Sequence, residues 1–125
     1  MYQRNKSEVP HRLRDGLFSH ILLQKNDVPD TRLSITWVEI EPGAAQKPHT
    51  HDPEQAYIIV QGRGNMTVAA ESCLVARGDI VHIPANAEHW IENIGERDLI
   101  YVSASTPALN FETLYDSGSL KPRKD

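Results

Sequence analysis

From Leu17 onward the sequence is cut into short runs of β-branched and aliphatic residues, each closed after about 8–12 positions by Gly, Pro, Asn or Asp. The runs at 17–24, 33–41, 55–61, 65–70, 73–76, 80–83, 90–93 and 99–104 read as strands. Between them stand Pro42-Gly43, Asp52-Pro53, Gly62-Arg63-Gly64, Arg77-Gly78-Asp79, Pro84-Ala85-Asn86 and Ile94-Gly95-Glu96, all with turn chemistry. No window of helical length carries an apolar stripe. Short antiparallel strands with tight connections cannot each bury a face alone. They must pair as a sandwich, a jelly roll or a closed barrel, so the fold class is all-β. The flanks differ in character. Residues 1–16 are polar and read as an N-terminal arm, 17–110 as the β domain, and 111–125 as a C-terminal tail with one helical turn at 111–115.

A chain of 125 residues suits one domain, large enough to hold a core without disulfide staples. The lone Cys73 closes no intrachain loop and, lying in a short apolar run, reads as a small buried hydrophobe. With 13 Lys+Arg against 17 Asp+Glu the net charge is −4, which leaves no basic field for phosphate and argues against nucleic-acid binding. The first ten residues lack the apolar stretch of a secretory signal, and no apolar run approaches the roughly 18 residues of a membrane span. The expectation is a cytoplasmic protein with no membrane partner.

Chemistry concentrates in residues 41–62. His49 and His51 are two apart, and on extended backbone that spacing projects both imidazoles from one face. Such a pair could chelate an ion or simply occupy a solvated strand face. A third imidazole, His89, follows the turn Pro84-Ala85-Asn86, and a partner strand could carry it beside the first two; three imidazoles suit Zn, Fe, Ni, Cu or Mn. Tyr57 and Ile59 share the parity of Gln55 and are expected to face the interior. Trp37 and Trp90 could line a pocket mouth or fill core. His82 reads as structural or exposed, and His11 and His20 have no partner near in sequence.

These residues resemble the two motifs of the cupin superfamily. Gly43, His49-Thr50-His51, Gln55 and Gly62 match the spacing of the first, with Gln in place of Glu. Gly78, Pro84, His89 and Asn93 match the second, with Asn86 in place of a Gly, a mild change because Asn tolerates positive φ. The 15 residues from Arg63 to Arg77 resemble the short spacer of compact single-domain members. The resemblance implies a double-stranded β-helix, or jelly-roll barrel, with one divalent transition metal ion (Zn, Ni, Fe or Mn) on His49, His51, Gln55 and His89. Glu54 competes with Gln55 as ligand, one residue out of register. A neutral Gln would leave the ion its full charge and so favour Lewis-acid chemistry.

What cupins do is broad, and the resemblance implies a small-molecule ligand without naming it. The Glu54-Gln55 pattern is similar to small cupins that open unsaturated uronate rings and to zinc-dependent polyketide cyclases. Where uronate-acting members carry an Asp, an aromatic and an Arg, the stretch 102–110 supplies Ser103 and Ser105 and no Arg, and exposed serines at a strand end are the simpler account of both. Three readings stand: a Lewis-acid enzyme acting on a carbonyl, enol or sugar-acid substrate, with Tyr57 and Glu54 the nearby candidates for a base; an Fe-dependent dioxygenase at the same ligands; and a non-catalytic binding or sensor cupin. Cupin domains commonly form homodimers by strand addition, a role open here to the run 17–24.

Overall fold

The computed structural model describes residues 1–111. Among these residues a single 3₁₀ turn, Lys6–Glu8, precedes nine strands: β1 (His11–Arg14), β2 (Leu17–Leu23), β3 (Ser34–Ile40), β4 (Glu54–Gln61), β5 (Arg63–Val68), β6 (Glu71–Ala76), β7 (Ile80–Ile83), β8 (His89–Asn93) and β9 (Leu99–Thr106). They form a six-stranded sheet in the order β1-β2-β3-β9-β4-β7 and a three-stranded sheet in the order β6-β5-β8. Every strand pairing is antiparallel. The expected all-β jelly roll is therefore what the chain forms. The helical turn expected at 111–115 lies outside the described residues apart from Phe111, which is buried.

Alternation along each strand builds the interior. Ile40, Ile83, Ile91 and Leu99 have no exposed surface and pack with Leu17, Ile59 and Met66 between the sheets. Each such side chain contributes about 1.5–3 kcal/mol by leaving water. Asn93 ties the end of β8 to its surroundings: its Nδ2 donates to the carbonyls of Ile40 and Arg97, and its Oδ1 accepts from the Gly95 amide. The turns are equally specific. Gly62, between β4 and β5, has φ +90°, and a Cβ there would meet the Asp98 carbonyl oxygen at 2.8 Å and the Leu99 Cα at 2.9 Å. The β5–β6 hairpin pairs Val68 with Glu71, so its two-residue turn is Ala69-Ala70, both with positive φ (+49° and +71°). That conformation usually selects Asn-Gly, which is why the expected strand ran on to residue 70.

Several expectations need correction. Residues 11–14, inside the polar segment 1–16, form β1 and extend the large sheet. The segment before them is fastened down: Lys6 Nζ meets Glu39 Oε2 at 2.6 Å, and Ile21 N donates to the Pro10 carbonyl. The run Leu17–Leu23 is flanked by β1 and β3 and is not an edge that a neighbour could extend; the edges of this sheet are β1 and β7. Cys73 is exposed, because β6 is the edge of the small sheet and Val75 is the one buried residue in it.

Candidate metal centre and cavity

The segment after β3 stays extended along β8. Ala45 bridges Glu92 and His49 bridges His89, the two histidines exchanging both backbone hydrogen bonds (3.2 and 3.0 Å). The Asn86 amide, in the left-handed turn before β8 (φ +66°), donates to the His51 carbonyl at 2.9 Å. Backbone pairing thus sets His89 opposite His49, and the two-residue period adds His51 on the same side. Ring centroids lie 4.2 Å apart for His49–His89, 5.0 Å for His51–His89 and 6.0 Å for His49–His51. One nitrogen from each ring falls within 4.8 Å of the others, so the three can hold one metal ion.

The hydrogen bonds fix which nitrogen faces inward. Nδ1 of His49 lies 2.8 Å from the Lys47 carbonyl, Nδ1 of His51 3.1 Å from the Pro53 carbonyl, and Nδ1 of His89 2.9 Å from the Ala87 carbonyl. A carbonyl only accepts, so each Nδ1 carries the proton and each Nε2 keeps a lone pair, the tautomer that suits a metal ligand. His89 Nε2 is buried with no hydrogen-bond partner. His51 Nε2 lies 2.6 Å from Oε1 of Gln55, whose Nε2 donates to Ser103 Oγ at 3.0 Å. With the His51 proton committed to Pro53, that contact sets lone pair against lone pair. A cation held by both atoms would relieve the conflict, as would an amide turned end for end; the orphaned His89 nitrogen and the other Nε2 lone pair favour the cation. The donor set therefore fits a divalent transition metal.

Burial keeps these imidazoles neutral. Desolvation pushes His49 down to about 4, and desolvation with the neighbouring His49 pushes His89 down to about 3; burial also lowers His51. Because the folded chain resists protonation where the unfolded chain does not, the stability these residues contribute is complete above their ordinary pKa of 6.5. It declines as the pH falls from there toward 4 and 3. Calorimetric melting of the metal-free protein should show a Tm that drops across this window and levels off below it. The His89→Asn variant should show a shallower drop, and a slope identical to the unsubstituted chain would refute neutral burial of His89.

A small cavity of about 40 Å³, open to solvent on one side, adjoins the histidines. His49, His51, Gln55 and Tyr57 line one side, and Leu17, Ser19, Thr36, Val38, Tyr101, Ser103, Gln46 and Phe111 complete it. Tyr57 and Tyr101 stack at 4.1 Å, and Gln46 Nε2 donates to both phenol oxygens, at 3.2 and 2.6 Å. Sequence reasoning brought His49, His51, Gln55, His89 and Tyr57 to this place and missed Gln46, Ser19 and Thr36. The last two were findable: Ser19 shares the parity of Leu17 and Ile21, Thr36 that of Val38 and Ile40. Ile59 points inward but belongs to the apolar core.

Other candidates lie elsewhere. Glu54 is exposed on the opposite face of β4, 2.6 Å from His82 Nε2, which removes it as competing ligand or base. Trp37 bonds Glu39 on the outer side of β3, and Trp90 is absent from the cavity wall. Ser103 and Ser105 are buried rather than exposed. His11 and His20 pair across β1 and β2 on the outer face, with the Phe18 ring tilted against His20 at 4.3 Å.

Comparison with known proteins agrees with this architecture. The model of the Cupin domain family matches residues 36–105, more than half of the chain. The uncharacterized protein MJ1618 of Methanocaldococcus jannaschii is 33% identical over 104 residues, covering 82% of this chain and 83% of its own. KdgF from Halomonas sp. superposes with a TM-score of 0.74 at 20% identity, over 86% of this chain and 94% of KdgF. A predicted oxalate decarboxylase from Thermotoga maritima gives 0.74 at 20% identity, over 82% and 96%. The last two similarities show the fold alone. With both motifs, the antiparallel jelly roll and the family match in agreement, the chain belongs to the cupin family as a small single-domain member.

Proposed function

We propose that the chain is a metal-dependent enzyme in which one divalent transition metal ion acts as a Lewis acid on a small carbonyl, enol or sugar-acid substrate. The reaction class is isomerisation, cyclisation, hydration or lysis. One observation carries this reading: three imidazoles converge with each Nδ1 tied to a backbone carbonyl, leaving their Nε2 atoms for a shared centre. His49, His51 and His89 would hold the ion, with Gln55 Oε1 as fourth ligand. When bound, the ion supplies positive charge that polarises a carbonyl or enol oxygen.

The chain's own residues do the rest. The backbone rung between His49 and His89 orients two of the imidazoles, and Ser103 restrains the Gln55 amide. Gln46 holds the Tyr57 and Tyr101 phenols beside the cavity, and the Tyr57 ring lies 6.0 Å from that of His89 between centroids. Leu17, Val38 and Phe111 supply the apolar part of the cavity lining.

The test is elemental analysis of protein dialysed against Zn, Ni, Mn or anaerobic Fe(II), followed by turnover assays on unsaturated sugar acids, enediols and β-diketones. One retained ion per chain with turnover of one compound class is the expected result. Substoichiometric metal without turnover would make the chain a binding protein, and oxygen uptake confined to the iron form would make it a dioxygenase; either overturns the Lewis-acid reading.

A further inference from the structure

The first half of β3 and the second half of β9 invert the usual order of a half-buried strand. Ser34, Thr36, Ser103 and Ser105 are buried on the inner side, whereas Ile35, Trp37, Val102 and Ala104 lie partly exposed on the outer side. An apolar side chain in those inner positions would add stability through burial, and a buried hydroxyl left without a partner costs about 1–3 kcal/mol. Ser105 Oγ is one such orphan, outside the cavity lining. Register sets the hydroxyls side by side: Thr36 is opposite Ser103, which is opposite Tyr57, while Ser105 lies between Ser34 and Gln55. Of these hydroxyls, those of Thr36 and Ser103 line the cavity, and Ser19 on β2 adds a third.

Charge is missing from that wall. Among the described residues lining the cavity none is Lys, Arg, Asp or Glu. A carboxylate lodged there, away from the histidines, would lose its hydration with no cation to replace it, at a cost of several kcal/mol. Hydroxyls both donate and accept, and so match the hydroxyls and carbonyls of a neutral molecule.

We propose that the cavity takes an uncharged polyhydroxy or hydroxy-carbonyl compound, whose oxygens beyond the histidines are held by Ser19, Thr36 and Ser103. This narrows the substrate class of the proposed function and rests on that reading for the location of the ligand, though not on an ion being bound.

The matched probes are D-erythrulose, a neutral four-carbon hydroxyketone, and D-erythronate, a four-carbon carboxylate, titrated into metal-free protein and followed by amide chemical shifts. Metal-free protein is used because a bound cation would itself attract the carboxylate. Erythrulose should bind at least about tenfold more tightly than erythronate. Loss of one hydroxyl in Ser19→Ala or Thr36→Val should weaken erythrulose binding by about three- to tenfold, and Thr36→Lys should reverse the order. Equal or tighter erythronate binding, erythrulose binding indifferent to Ser19→Ala and Thr36→Val, or no shift with either compound would each overturn the proposal. A parallel titration with Co²⁺ alone separates the two readings. Failure to bind Co²⁺ with the preference intact removes the metal enzyme and leaves this inference standing; Co²⁺ binding without the preference does the reverse.

Discussion

Replacing His89 with alanine should reduce affinity for Zn²⁺ or Co²⁺ by about two to three orders of magnitude. Sites with a full set of protein ligands bind zinc with apparent free energies of about 10–16 kcal/mol, so one ligand among four accounts for about 2.5–4 kcal/mol, at 1.4 kcal/mol per tenfold. The His89 backbone would still pair with His49, since that rung uses main-chain atoms. The loss should therefore appear in metal affinity rather than in far-ultraviolet circular dichroism. His82→Ala is the control, because His82 is exposed and bonded to Glu54 on the outer face. Calorimetric titration that found His89→Ala and His82→Ala equally affected, or equally unaffected, would rule out the assigned centre.

The largest effect on stability is expected from Gly62→Ala, a loss of about 2–5 kcal/mol in urea unfolding. Two costs combine there. An L side chain at φ +90° is strained by about 1–2 kcal/mol, and its Cβ would lie 2.8 Å from the Asp98 carbonyl oxygen and 2.9 Å from the Leu99 Cα, backbone atoms that cannot swing aside. Gly78 separates the two contributions. At φ +94° it shares the strain, but a Cβ there meets nothing within 4 Å, so Gly78→Ala should cost about 1–2 kcal/mol. Equal losses at both positions would show that the approach of the β8–β9 connection to Gly62 carries no energy.

How legible all this was depended on the kind of signal each residue gives. His49 and His51 were readable because strand alternation needs no knowledge of the partner, and the same parity separated Gln55 from Glu54. β1 was hidden because His11-Arg12-Leu13-Arg14 has a single apolar side chain, itself exposed; its strand character comes from pairing with β2. The Ala69-Ala70 turn was hidden because neither residue advertises positive φ. The serines of β9 misled in a more instructive way. Their place at a strand end suggested exposure, whereas both share the inward parity of Leu99 and Tyr101, and Ser103 reaches the cavity. Cys73 failed for the opposite reason: an apolar neighbourhood in sequence says little about burial on the edge of a three-stranded sheet.

The rung that joins His49 to His89 also bears on how such a protein can diversify. Two of the three imidazoles owe their placement to amides and carbonyls, which every residue type supplies, whereas the opposite wall is made of side chains borne on β2, β3 and β9. The wall can thus be exchanged one position at a time while the histidine cluster keeps its shape. Descendants of one ancestral barrel could in this way come to accept unlike molecules over the same three nitrogens.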